Sequence, residues 1–108
     1  MWYNTHVPKG LQTIKDKIAL ERGYLHKTYG VSEIGLFGSV VRGEDTPLSD
    51  VDMLFVIEDA KKDTISLFDL VDMKTYLERV LGRTVDIVEK GSIKPQLKER
   101  IMGEVVMV

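Results

Sequence analysis

Hydrophobic and polar residues alternate with the period of an α-helix over residues 9–29, which predicts a long amphipathic helix. The apolar positions of this segment are Leu11, Ile14, Ile18 and Leu25. Pro8 suits the first turn of such a helix, and Gly30 follows its end.

Three later segments have the character of β-strands. The first covers residues 32–37 and closes on Gly38, and the second is DVDMLFVI, from Asp50 to Ile57, which is rich in β-branched and aromatic residues. The connection between them, GSVVRGEDTPLS, contains glycine and proline. A third strand is predicted over residues 83–89, because RTVDIVE alternates apolar and polar positions.

Two further helices are predicted. One begins with Asp63 as its N-cap and runs to about Leu81, before Gly82. Its apolar stripe is expected to lie in the core and consists of Leu67, Phe68, Val71, Leu77, Val80 and Leu81. The other opens at Pro95 and runs through Met102, and the tail GEVVMV is expected to form an edge strand or to pack on the core.

This order of elements predicts an α+β fold with a small, mixed, twisted β-sheet flanked by helices. The chain has 108 residues and 44% hydrophobic content, which suffices for one compact core and not for two. Residues 1–108 are therefore expected to form a single domain.

The net charge and the cysteine content exclude several classes of function. The formal net charge of -2 does not attract polyanions, so direct nucleic-acid binding is not expected. The absence of cysteine excludes disulfides, thiol catalysis and thiolate metal sites. The sequence shows neither a signal-peptide pattern nor an apolar run long enough to span a bilayer, so we expect a cytoplasmic protein without membrane contact.

A pair of carboxylates is the first candidate for chemistry. Asp50 and Asp52 are two positions apart on a predicted strand, so both side chains leave the same face, about 7 Å apart. Carboxylate oxygens on a rigid strand suit Mg²⁺, which keeps its other positions for water and phosphate. Alone, the pair is a weak signal, and it is more typical of a solvated strand end than of a metal site.

Two other sequence features strengthen the interpretation of this carboxylate pair as part of a metal site. Gly38 and Ser39 follow a strand, where a glycine permits a tight turn and the amides and hydroxyl suit an anion, although Ser39 also fits an ordinary N-cap. Asp86 interrupts an apolar strand, and a carboxylate there needs a cation, a hydrogen-bond network or an exposed strand end. Alternatively, Arg83 or a lysine pairs with it at the surface. A phosphate cradle beside metal-binding carboxylates would hold a nucleoside triphosphate with its metal.

The stretch GLFGSVVRGEDTPLSDVDMLFVIE, residues 35–58, resembles the signature of the minimal nucleotidyltransferases of the polymerase-beta-like superfamily, written GSxARGxxxxxSDxDL. The positions in register are Gly38, Ser39, Arg42, Gly43, Ser49, Asp50 and Asp52. The later VDIV places Asp86 where the family has its third acidic residue. Val41 replaces the usual alanine and Met53 the usual leucine, and neither change removes a chemical group.

The resemblance implies the polymerase-beta-like nucleotidyltransferase fold and a set of site residues. Asp50, Asp52 and Asp86 would be catalytic and would bind two Mg²⁺ ions. The nucleotide, with ATP as the expected substrate, would be bound by Gly38, Ser39, Arg42 and Ser49. Arg42 has an alternative role, because it could instead brace the turn against a carboxylate such as Glu44.

The resemblance also implies a partner. Stand-alone domains of this family are commonly encoded with a HEPN-domain toxin, and they act as its antitoxin by transferring AMP from ATP to a tyrosine of the toxin. A hetero-oligomer with that toxin is therefore expected. Two alternatives remain open: a non-catalytic antitoxin that neutralises its toxin by binding alone, and a nucleotidyltransferase for small molecules of the aminoglycoside type.

Overall fold

The computed structural model of the chain describes residues 9–108, with side chains from Gly10 onward, so the predicted role of Pro8 lies outside the described residues. The elements in chain order are α1 Lys9–Tyr29, β1 Val31–Phe37, α2 Ser39–Arg42, β2 Val51–Ile57, α3 Asp59–Lys62, α4 Leu67–Leu81, β3 Val85–Glu89, a 3-10 turn Lys90–Ser92, α5 Pro95–Glu104 and β4 Val106–Met107. The predicted first helix is confirmed, and it ends at Tyr29 as predicted.

The four strands form one mixed sheet in the order β3-β2-β1-β4. β1 pairs antiparallel with β2 and with β4, whereas β2 and β3 run parallel. The parallel pair is joined by the crossover that contains α3 and α4, as parallel neighbours require. The predicted α+β fold with a mixed sheet and flanking helices is thereby confirmed.

One face of the sheet packs against α1 and α4 and forms the main core. Alternate residues of β2 belong to this core, namely Val51, Met53, Phe55 and Ile57. The helices contribute Leu11, Ile14, Ile18, Leu25, Tyr29, Met73, Leu77 and Leu81. Because successive side chains of a strand point to opposite faces, Asp52, Leu54 and Val56 lie on the other face of β2.

The second long helix begins later than predicted. Asp63 is the C-cap residue of the short helix α3, and α4 starts at Leu67 with Ser66 as its N-cap. The Ser66 hydroxyl accepts a hydrogen bond from the Asp69 amide, and the Asp69 carboxylate accepts one from the Ser66 amide. This reciprocal capping box satisfies two free amides of the first turn, which fixes the start of the helix at this point.

The apolar stripe predicted for α4 is wrong in its first half. Leu67, Phe68 and Val71 are 75%, 86% and 55% exposed. The buried face carries Met73, Leu77 and Leu81 instead. These residues recur at intervals of four, and with the half-buried Leu70 they follow one side of the helix. Leu67, Phe68 and Val71 belong to the exposed first turns of the helix.

The carboxyl-terminal elements follow the prediction closely. α5 extends to Glu104, two residues beyond the predicted end, and Val106–Met107 form an edge strand beside Gly35 and Leu36 of β1. Within residues 9–108, no helix combines the length and the apolar character that crossing a membrane requires.

Candidate active site

Asp52 and Asp86 occupy adjacent positions of two parallel strands. Asp52 on β2 pairs in register with Asp86 on β3. Residues that pair in register project from the same face of a sheet, so both carboxylates stand on the face opposite the main core. Asp86 is exposed, and it makes no hydrogen bond or ion pair with another described residue. Arg83, the surface partner considered for Asp86, pairs with Asp45 instead.

Asp50 lies one residue before β2, which begins at Val51 and not at Asp50 as predicted. Its carboxylate accepts a hydrogen bond from the hydroxyl of Thr84, the residue before β3. The Val51 amide donates to the Thr84 carbonyl, 2.9 Å away. The structure therefore brings Asp50, Asp52 and Asp86 to the adjoining amino-terminal ends of two strands.

Asp52 carries the clearest electrostatic signature of the site. Burial raises the pKa of its carboxyl, and repulsion from the charges of Asp86 and Asp50 raises it further. The nearby guanidinium of Arg42 acts in the opposite direction and lowers this pKa. Two neighbouring acids disfavour the charged form of Asp52, and a bound cation would relieve this electrostatic repulsion.

The side chains do not enclose an ion as they stand. Within the described part of the chain, no three acidic, histidine or cysteine side chains converge closely enough to form a metal site. The Asp50 carboxylate is engaged by the Thr84 hydroxyl. The three carboxylates are thus near enough to repel one another, and shared coordination of a metal requires side-chain rotation.

Gly38 makes the turn that faces Asp52. Its φ of 79° lies in the left-handed region, and a Cβ at this position would overlap the Oδ2 atom of Asp52 and stand 3.1 Å from its Cγ atom. Only glycine meets both conditions. α2 then begins at Ser39, and its last turn closes on the Gly38 carbonyl, which accepts from the amides of Val41 and Arg42. The turn expected from the sequence is present and lies against the carboxylate.

Arg42 is braced by two carboxylates. Its Nε atom lies 2.8 Å from Glu44, which is the bracing contact considered above. Its Nη1 atom lies 3.0 Å from both carboxylate oxygens of Glu104, the last residue of α5. Glu104 also accepts a hydrogen bond from the Gly38 amide at 2.6 Å. The sequence analysis missed Glu104, because an acidic residue at the end of a short helix has no distinguishing pattern.

The loop that leads to Asp50 is held by Arg83. This side chain donates to the carboxylate of Asp45 at 3.0 Å and to the carbonyls of Thr46 and Ser49 at 3.0 and 2.9 Å. The Ser49 hydroxyl accepts from the Thr46 amide at 2.9 Å, so it faces the loop. Ser49 is thus placed directly before the carboxylates, and its hydroxyl is engaged in loop structure.

Comparison with known proteins places this site in a family. The sequence profile of the nucleotidyltransferase domain matches residues 16–108. Protein adenylyltransferase MntA of Thermococcus cleftensis is 39% identical over 98 residues, which are 91% of this chain and 95% of that protein. A provisionally named protein adenylyltransferase of Methanocaldococcus jannaschii is 44% identical over 80 residues, which are 74% of this chain and 82% of that protein.

Solved structures share the fold. A provisionally named minimal nucleotidyltransferase superposes with a TM-score of 0.69 at 33% identity, covering 89% of this chain and 93% of that one. A toxin-antitoxin structure with AMP-PNP superposes with a TM-score of 0.68 at 22% identity, and the superposition covers 86% of this chain and 70% of that one. The structure of a tri-AMPylated Shewanella oneidensis HEPN toxin in complex with MNT antitoxin superposes with a TM-score of 0.63 at 20% identity. The superposition covers 90% of this chain and 70% of that one. Since the family profile covers most of the chain and the relatives align over most of their own length, this chain belongs to the nucleotidyltransferase domain family.

Proposed function

We propose that this protein is a Mg²⁺-dependent adenylyltransferase that transfers AMP from ATP to a tyrosine of a HEPN-domain toxin and so acts as its antitoxin. The observation that carries the proposal is the register of Asp52 with Asp86, on the sheet face where Gly38 turns against Asp52. The names of the relatives agree with it, since they are protein adenylyltransferases, and one structure of the same fold contains an AMPylated HEPN toxin.

Asp50, Asp52 and Asp86 are the residues that would hold two Mg²⁺ ions. Their oxygens are the ligands that this hard cation prefers. The raised pKa of Asp52 reflects burial first and then repulsion from Asp86 and Asp50, and a cation would cancel that repulsion. When bound, the ions supply positive charge for the phosphates and for the developing charge on the leaving group. The Thr84 hydroxyl donates a hydrogen bond to Asp50 and holds its carboxylate at the strand end.

Gly38, Ser39, Arg42 and Ser49 form the proposed nucleotide site. Gly38 lets the backbone approach closely, since no side chain stands between the turn and Asp52. The half-buried Ser39 offers its amide and hydroxyl to a phosphate. Arg42 places a positive charge beside the turn while it is braced by Glu44 and Glu104. Ser49 stands at the entry, immediately before Asp50.

The transfer is an in-line displacement at the α-phosphorus of ATP. The tyrosine oxygen forms a bond to this phosphorus as the bond to the bridging oxygen breaks and pyrophosphate leaves. The hydroxyl proton passes to the carboxylate of Asp86, which is exposed on its strand and carries no competing ion pair within the described residues. The product is a tyrosine that carries AMP through a phosphodiester bond.

The acceptor is supplied by the partner. Residues 9–108 form the sheet that carries the candidate site and the helices around it, and the net charge of -2 does not favour nucleic acid as the acceptor. We therefore assign the acceptor tyrosine to a protein bound in a hetero-oligomer, and the reaction to the cytoplasm, where ATP is available.

The proposal is tested with the purified chain and the purified product of any neighbouring gene. Both are incubated with ATP and Mg²⁺, and the partner is analysed by intact-protein mass spectrometry. We expect mass steps of one AMP that map to tyrosine, and their loss in the double variant Asp50→Asn plus Asp52→Asn. Asp63→Asn is the matched control, since Asp63 is exposed after α3 and outside the site.

Three outcomes would contradict the proposal in different ways. Neutralisation of the partner by the double variant at wild-type efficiency would favour a binding antitoxin. AMP adducts on an aminoglycoside offered in parallel, with none on the partner, would favour a small-molecule transferase. Absence of adducts on every acceptor and with every nucleoside triphosphate would remove the enzymatic function.

A further inference from the structure

Glu104 links three parts of the site that are distant in sequence. Its Oε2 atom accepts from the Gly38 amide at 2.6 Å, and both of its carboxylate oxygens lie 3.0 Å from Nη1 of Arg42. Hydrogen bonds to a charged acceptor are stronger than those between neutral groups. The amide and the guanidinium belong to the two ends of the turn from Gly38 to Arg42. Glu104 therefore clamps the whole turn from outside.

The clamp is rigidly mounted. Glu104 ends α5, and two residues later β4 pairs with β1 at Leu36 and Gly35. A Cβ on Gly35 would lie 2.7 Å from Val105 and 2.9 Å from the sulfur of Met107, so the glycine lets this segment lie directly against β1. The Glu104 side chain is 21% exposed, so its rotation is restricted. The end of the chain is thus held beside the turn.

A carboxylate at this position has an electrostatic cost. It adds repulsion at Asp52, where Asp86 and Asp50 already oppose the charged form, and it contributes to the raised pKa of Asp52. Arg42 offsets this charge. An apolar side chain could fill the same place without adding a fourth negative charge beside the other three acids. The hydrogen bonds of Glu104 to Gly38 and Arg42 therefore explain its presence better than packing does.

We infer that Glu104 is a positioning residue, which fixes the turn from Gly38 to Arg42 so that the Ser39 amide and hydroxyl are pre-arranged for a triphosphate. Glu104 acts through the turn and does not itself contact the nucleotide. Its loss leaves the turn free to adopt other conformations, and ordering the turn on binding then reduces the affinity. The identity of the ligand rests on the proposed function.

The test compares four full-length variants. Glu104→Ala removes the clamp, Glu104→Asp keeps the charge but shortens its reach, and Glu104→Gln keeps an oxygen acceptor for the Gly38 amide. Glu99→Ala is the matched control, an exposed acid on the same helix. Binding of AMP-PNP with Mg²⁺ is measured by calorimetry, steady-state kinetics are measured with ATP, and the Gly38 amide is followed by NMR.

We expect the Ala and Asp variants to bind AMP-PNP roughly tenfold more weakly, and the Gln variant to stay within about threefold of wild type. The KM for ATP should rise by a similar factor while kcat changes little, because the loss lies in nucleotide binding. The Gly38 amide resonance should move upfield in the Ala and Asp variants. Glu99→Ala should match wild type in every measurement.

Three results would overturn the inference. Wild-type affinity in Glu104→Asp would mean that charge alone matters, and tighter binding in any variant would mean that Glu104 competes with phosphate. A fall in kcat and thermal stability with unchanged KM would indicate a purely structural role. If Glu104→Ala fails to fold, the nucleotide affinities of the Asp and Gln variants test the inference. A wild-type chain that binds no nucleotide would instead refute the proposed function.

Discussion

The backbone of Gly38 lies so close to the carboxylate of Asp52 that a methyl group on residue 38 would overlap Oδ2 of Asp52. The turn and the acid therefore pack directly against each other, and any larger side chain at residue 38 would displace the carboxylate.

Replacing Gly38 by alanine should destabilise the fold and displace Asp52. The left-handed φ of 79° and the overlap with the carboxylate together predict a loss of roughly 2–3 kcal/mol in the free energy of unfolding. Urea unfolding measures this loss. Gly103→Ala is the control, since its Cβ would meet nothing within 4 Å and a helical alanine should add about 0.5–1 kcal/mol. Equal stability of both variants would contradict the structure.

Asp52→Asn should raise the thermal stability of the metal-free protein while abolishing nucleotide transfer. The charged form of Asp52 is opposed by burial and by the charges of Asp86 and Asp50, and a neutral amide of the same shape removes that repulsion. Thermal melts without metal and transfer assays with ATP measure the two effects. Asp63→Asn should change neither, and a lower melting temperature for Asp52→Asn would show that its charge stabilises the fold.

The stability gap between wild type and Asp52→Asn should depend on pH. A carboxyl with a raised pKa binds its proton more readily in the folded state than in the unfolded state. The destabilising effect of its charge is therefore fully present at neutral pH, and it is lost as the pH falls through the folded pKa, which lies above 3.8. Denaturant titrations across this range should show the gap closing; a gap that widens on acidification would reverse the sign.

Arg83→Met should loosen the loop before Asp50. The substitution removes the donors to Asp45, Thr46 and Ser49 and keeps the aliphatic stem. Loss of this partly buried network should cost about 1–3 kcal/mol in unfolding free energy and should lower kcat/KM. Arg79→Met, an exposed change on α4, is the control. Full activity in Arg83→Met would show that the loop positions Asp50 without this brace.

Local sequence patterns predict the helices and strands of this fold well where the pattern is long or is bounded by clear capping or turn residues. α1 has apolar residues at helical spacing from Leu11 to Leu25 and ends before a glycine, so the helix and its end follow from the sequence. The start of α4 is harder to predict, because Asp63 and Ser66 are both good N-caps. Only the reciprocal bonds between Ser66 and Asp69 decide between them.

Long-range relationships are outside the reach of such patterns. Leu67 and Phe68 are as apolar as Met73, and the contact of α4 with α1 and the sheet determines which residues are buried. Glu104 reaches Gly38 across 66 positions, a contact that no local spacing encodes. The motif identifies Asp52, whereas the face on which Asp86 lies depends on the pairing of β2 with β3.

The parallel register of β2 and β3 also makes the site depend on contacts that are distant in sequence. Parallel neighbours have no short connection, so the crossover through α3 and α4 lies between the two strands. A chain in which β3 has not paired with β2 holds Asp52 without its neighbouring acid. Under the proposed function, recovery of transfer activity during refolding should therefore report complete assembly of the sheet.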